Sequence, residues 1–173
     1  MNSSRERFRT LVCRWGGFTL LFLLMVILET TPGLLRIGSI KPLFILPAAL
    51  AVAVQEDEMN AAFFGAVCGL VWDWTAARYA GGFAIEFALV CLLTSMLTRV
   101  YLRLNTFSFC LISAGGCWLI CSLDFLFSYQ MAGFGHGAER YFFYIIPMVI
   151  YSAVLSPLSY VCARGIANRF VLE

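Results

Sequence analysis

Charge and histidine are scarce in this sequence. Only 13% of its 173 residues are Asp, Glu, Lys or Arg, and His136 is the single histidine. A water-soluble domain carries about a quarter charged residues, so this chain lacks the means to build a polar shell. One imidazole excludes histidine-rich metal sites. No serine–histidine pair falls within a helix, so nucleophilic hydrolysis inside a membrane is not encoded either. There is no glycine-rich phosphate loop. The net charge of +2, with no long basic run, gives no footprint for nucleic acid. Low-complexity stretches, repeats and long polar linkers are also missing, so the chain reads as one domain.

Apolar residues are abundant. They make up 61% of the chain, including sixteen phenylalanines and four tryptophans, and the mean hydropathy is +0.85. A core of this size cannot enclose that much apolar surface, whereas lipid lets it face outward. The seven cysteines fall almost entirely within apolar runs, without zinc-ligand spacing. Cys117 and Cys121 share a helix face, and all seven read as small packing residues. The expected cofactor and metal content is none, and no catalytic residue is expected.

Six segments approach the roughly 20 apolar residues that a membrane span requires. They cover about 11–28, 37–54, 61–77, 82–102, 107–129 and 141–163. Arg5, Arg7, Arg9 and Arg14 precede the first, as in a signal peptide. That segment is long and lacks a small-residue cleavage site, so it reads as a retained helix. The second segment is the weakest, because Lys41 and Pro42 interrupt it. With six crossings and the N-terminus inside, eight arginines lie inside and four basic residues outside; with five crossings the sides balance. The positive-inside rule therefore favours six crossings. The fold class expected is an all-α membrane protein, a six-helix bundle with both termini cytoplasmic.

Charges within a bilayer are costly and mark candidate functional positions. Glu29, Asp73, Glu86 and Asp124 all fall near the outer ends of their segments. Arg78, His136, Glu139 and Arg140 lie in the adjoining loops. This polar rim is either a partner contact or shallow pocket, or a set of hydrated groups at helix ends. In the third segment Ala61, Gly65, Gly69 and Asp73 recur every fourth residue and so share one face. Such a face admits close helix packing, either within this bundle or from a partner's helix. Asp73 to Arg78 is similar to the opening of membrane CDP-alcohol phosphotransferases. Phe87, Cys91 and Ser95 stand where those enzymes need glycine and metal-binding aspartates, which excludes that chemistry. Four of the five prolines, Pro42, Pro47, Pro147 and Pro157, fall at or within helical segments. Proline is ordinary in membrane helices, so these decide nothing alone.

The stretch from Pro42 to Phe87 resembles the MreD family of bacterial rod shape-determining inner-membrane proteins. It reads as a proline-led apolar segment, Pro42-Leu43-Phe44-Ile45-Leu46-Pro47, then a turn at Gln55 to Glu58. A glycine-spaced helix follows, ending Gly69-Leu70-Val71-Trp72-Asp73, and then a Gly81-Gly82 loop. The acidic turn departs from the family pattern, which has a glycine or a single basic residue there. The resemblance covers about a quarter of the chain. It implies a fold similar to the substrate-binding subunits of energy-coupling-factor transporters. It also implies a non-catalytic scaffold role in the cell-wall elongation complex, with MreC as direct partner and MreB, RodA and the elongation transpeptidase in the same assembly. Pro42, Gly65, Gly69, Asp73 and Gly82 would then dock a partner or define the fold, and Ala61 joins them by its spacing on the same face of the third segment. The alternative is a substrate-binding subunit of a vitamin or metal uptake transporter, which needs an enclosed pocket of convergent polar groups.

Overall fold

The computed structural model describes residues 2–31, 41–76, 81–100, 105–127 and 141–170, and no strand occurs among them. The helices are α1 (Asn2–Thr30), α2 (Ile45–Ala53), α3 (Glu58–Ala76), α4 (Gly82–Val100) and α5 (Thr106–Phe125). A π-helical turn, Tyr141–Ile145, leads directly into α6 (Ile146–Arg169). Four helical stretches are long and apolar enough to cross a membrane: Phe8–Thr30, Gly82–Val100, Thr106–Phe125 and Tyr141–Arg169. Their outward faces are apolar, with Leu20, Ile27, Ile85, Phe107, Val154 and Val161 all exposed. In water such a surface would aggregate, whereas in lipid it is solvated. This is the architecture of a multi-pass membrane protein.

The two remaining helices differ from these four. In α3, nineteen residues long, Glu58, Asn60 and Asp73 dilute the apolar character. The nine residues of α2 span only about 14 Å, against a hydrocarbon thickness of about 30 Å. All nine are buried, enclosed by α1, α3, α4, α5 and α6. The sequence places this segment at 37–54; the helix begins at Ile45, and residues 32–40 lie outside the described residues. Pro42 has no N–H to donate and disfavours helix at the residue before it. Its ring is fully buried, and the chain enters α2 through the non-helical residues Leu43 and Phe44. The far ends of the expected third, fourth and fifth segments, at 77, 101–102 and 128–129, also fall outside the described residues.

Long-range contacts fix the direction of each helix. Arg14, in the N-terminal half of α1, pairs with Glu56, just after α2. Ser95 and Arg99, late in α4, reach the same turn through the carbonyl of Glu56 and the carboxylate of Asp57. This is the arginine end of the bundle. Glu29, late in α1, meets Phe44 and Ile45, and Asp73, late in α3, meets the start of α4. These contacts mark the acidic end. Gly17 of α1 packs on Ile166 of α6, so the first helix starts, and the last one stops, at the arginine end.

The most extensively packed pair is α3 with α4, and its glycines explain the contact. A Cβ on Gly65 would lie 2.7 Å from the carbonyl oxygen of Phe87 and 2.9 Å from Cys91. One on Gly69 would overlap the Phe83 carbonyl and lie 2.5 Å from the Cα of Ala84. In α6, Pro157 removes the N–H that would have bonded the carbonyl of Ala153. The Ser156 hydroxyl donates to that carbonyl instead, at 2.8 Å. The helix therefore continues through the proline with its polar groups satisfied. The ring of Tyr160, one turn on, stacks on Phe109 of α5 with centroids 4.7 Å apart.

Candidate functional site

The acidic end holds the four carboxylates that the sequence singles out, and two of them are structural. Asp73 is only 6% exposed. Its Oδ2 accepts from the backbone N–H of Gly81 at 2.9 Å and of Ala84 at 3.3 Å, and its Oδ1 from that of Phe83 at 3.3 Å. The first turn of a helix leaves N–H groups without intrahelical partners and carries partial positive charge. Asp73 satisfies both across the glycine loop, locking the end of α3 to the start of α4. Glu29 does the same for α2. Its Oε2 accepts from Phe44 N–H at 3.0 Å and Ile45 N–H at 2.9 Å. Beside it, Leu43 N–H donates to the Ser152 hydroxyl of α6 at 2.8 Å. The entry to α2 is thus held from α1 and α6 together.

Glu86 is placed differently. It sits one turn into α4, half-buried, and its Oε2 is buried with no hydrogen bond to any described residue. The acidic groups whose charge bears on it are Asp124 of α5 and Asp73. Between α5 and the π-helical turn, the Ser122 hydroxyl and the Tyr141 phenol share a hydrogen bond of 2.8 Å. Among the described residues no group of three or more His, Cys, Asp or Glu side chains is arranged to hold a metal. The geometry explains this, since the oxygens of Asp73 are turned onto backbone N–H groups. Arg78, His136, Glu139 and Arg140, the loop members of the expected rim, lie outside the described residues.

The glycine-spaced face of α3 is occupied. Gly65 and Gly69 lie against α4, and Ala61 is fully buried. This face is spent on packing within the chain. The outward face of α3 instead carries Met59, Phe63, Leu70 and Trp74, the last 87% exposed. Gly82, by contrast, has open space where a side chain would go, and the positive φ of the loop falls at Gly81, at 97°.

At the arginine end lies a network that sequence reasoning missed. Arg14 Nε pairs with Glu56 Oε1 at 2.7 Å, and an Arg14 NH2 group donates to the carbonyl of Gln55 at 2.9 Å. The Ser95 hydroxyl donates to the carbonyl of Glu56 at 3.0 Å, and Arg99 pairs with Asp57. Burial pushes the Glu56 carboxyl above the usual carboxylate range, and the neighbouring Arg14 pulls it partly back. The acidic turn, an oddity in the sequence, is the anchor that ties α1 to the α3–α4 pair. Its acidity next to arginines in two distant segments was the available signal.

No protein-family model matches the chain, and neither any curated protein nor any solved structure matches it. Its functional reading therefore rests on its own residues and geometry.

Proposed function

We propose that this chain is a non-catalytic scaffold of the MreD kind, crossing the bacterial inner membrane six times with both termini in the cytoplasm. In this reading α2 and α3 make the second and third passes. α2 succeeds despite its length because its neighbours bury it completely, so that it meets protein instead of lipid. The single observation that carries the scaffold reading is what the motif residues do. Pro42, Gly65, Gly69 and Asp73 are all consumed in shaping the fold: a buried ring, two close helix approaches and a helix cap. A motif built for shape, with its one carboxylate already bonded, fits a protein that presents surfaces better than one that performs a chemical step.

The partners proposed are MreC directly, with MreB, RodA and the elongation transpeptidase in the same assembly. Depletion is the test. Rods that round up before lysis, with loss of MreC from the co-purified complex, are expected. Unchanged shape would overturn the reading.

A second reading keeps one supporting observation. The partnerless oxygen of Glu86, with Asp124 and Asp73 around it, is a place where a cationic group of a small substrate would be welcome, as in an uptake-transporter binding subunit. Growth of depleted cells restored by one added vitamin would favour it over the scaffold.

A further inference from the structure

Among the described residues, the arginine end holds more arginines than the ion pairs of the bundle use. Arg14 and Arg99 are paired with Glu56 and Asp57. Arg9, Arg164 and Arg169 are exposed, and no described carboxylate lies within ion-pair distance of them. Helix geometry sorts these three. Gly17 of α1 and Ile166 of α6 are in contact, and the two helices run in opposite directions. Successive residues turn by about 100° around a helix. Stepping back from the contact along each helix, Gly16 and Cys13 on α1 and Gly165 and Cys162 on α6 turn to the same side of the seam. Arg9 and Arg169 turn to that side too, whereas Arg164 points away from it. All six residues on the seam are exposed, and the positions where Gly16 and Gly165 would carry a Cβ are open space. The seam is thus a shallow furrow floored by small residues, apolar along its length, with two guanidinium groups at its mouth that no described carboxylate pairs. Counting along the helices from the Gly17–Ile166 contact places the two arginines about 8 Å apart along the axis, within the combined reach of their side chains.

We propose that this furrow is a binding site for one anionic phospholipid, with an acyl chain lying over Gly16 and Gly165 and the phosphate held between Arg9 and Arg169. Guanidinium groups suit phosphate oxygens through paired N–H donors, and basic pockets between membrane helices are where anionic headgroups lodge. The floor takes a flexible chain where bulky side chains would exclude it. The site requires the bilayer but not the scaffold role, so it stands or falls separately from that reading.

The test uses the full chain in bilayer nanodiscs of phosphatidylcholine containing a minor fraction of phosphatidylglycerol. Lipids retained after mild detergent exchange are counted by mass spectrometry. Phosphatidylglycerol is expected to be enriched over its share of the bilayer. Arg9→Gln and Arg169→Gln should each lower that enrichment about fivefold. Gly16→Leu with Gly165→Leu should lower the retained lipid while leaving both charges in place. Arg164→Gln, at the same end but on the other side, should leave enrichment unchanged. Equal loss from Arg164→Gln would show a diffuse surface potential and overturn the site. So would unaltered enrichment in the Arg9/Arg169 double variant. Oxidative cross-linking of Cys13 in one copy to Cys162 in another, in these lipid-filled discs, would show a second copy in the furrow and also overturn it. Equal protection of both thiols from maleimide by soluble glycerol phosphate would exclude a role for the chain-binding floor.

Discussion

Gly69 shows how much can depend on a missing methyl group. A Cβ there meets backbone atoms of Phe83 and Ala84, which cannot rotate away. Gly69→Ala should destabilise the protein by about 1–3 kcal/mol, as overpacking does in dense cores. Gly82→Ala, with nothing near its Cβ position, should leave thermal unfolding in detergent almost unmoved. Ser156→Ala exposes the carbonyl freed by Pro157 and should cost about 1–3 kcal/mol. The Ser156→Ala/Pro157→Ala pair should recover most of that loss, because a restored N–H takes over the bond. The Arg14–Glu56 pair gives the pH dependence. A folded carboxyl raised above its ordinary value of 4.5 binds its proton more tightly than the unfolded chain does. The stability it contributes is therefore complete below that value and is lost as pH rises through the folded one. Glu56→Gln should flatten that portion of a stability–pH curve. Arg14→Ala leaves a buried carboxylate unpaired and should cost about 3–5 kcal/mol at neutral pH, whereas replacing both residues by methionine should come close to the original stability. Chemical denaturation across a pH series measures all three.

At the scale of elements, the helix ends were the least legible feature. The spans of α1, α4, α5 and α6 could be read from apolar length alone, since lipid imposes that length directly. The caps could not. Helix capping is normally local, from a residue just before the first turn. Here the carboxylates come from Glu29 and Asp73, eight to sixteen positions earlier in the chain. Nothing in their spacing distinguishes a distant cap from a charge facing water, so the sequence left Glu29 and Asp73 open between a contact rim and hydrated helix ends, and the structure shows two caps. The glycine face of α3 was legible as a close contact, but sequence left the occupant open between a neighbour in the chain and a partner, and α4 fills it. Shortening Glu29 to Ala removes the acceptor for two buried N–H groups. It should cost about 2 kcal/mol, at the high end of cap removal, with amide exchange accelerating first at Phe44 and Ile45. Asp73→Ala should produce the corresponding change at Gly81, Phe83 and Ala84.

For the whole molecule, the arrangement of ends is the decisive property. The start of α1 and the end of α6 share the arginine end, so reporter fusions at the two termini should give the same compartment, and that compartment should be the cytoplasm. Opposite signals would break the six-pass reading. The overall class was plain from composition, because too few charges and too many phenylalanines admit only a lipid-solvated bundle. The number of passes was harder to read, because α2 has the apolarity of a span without its length, and its burial depends on surroundings that no local pattern encodes.

That dependence has a consequence for biosynthesis. The nine residues of α2 emerge from the ribosome before four of the five helices that enclose them. As a lone segment α2 is too short to settle across the hydrocarbon, and its wall is finished only when the final helix arrives. Maturation should therefore end with α2, and truncated chains lacking residues 141–173 should be degraded by membrane quality control even though their first spans are intact.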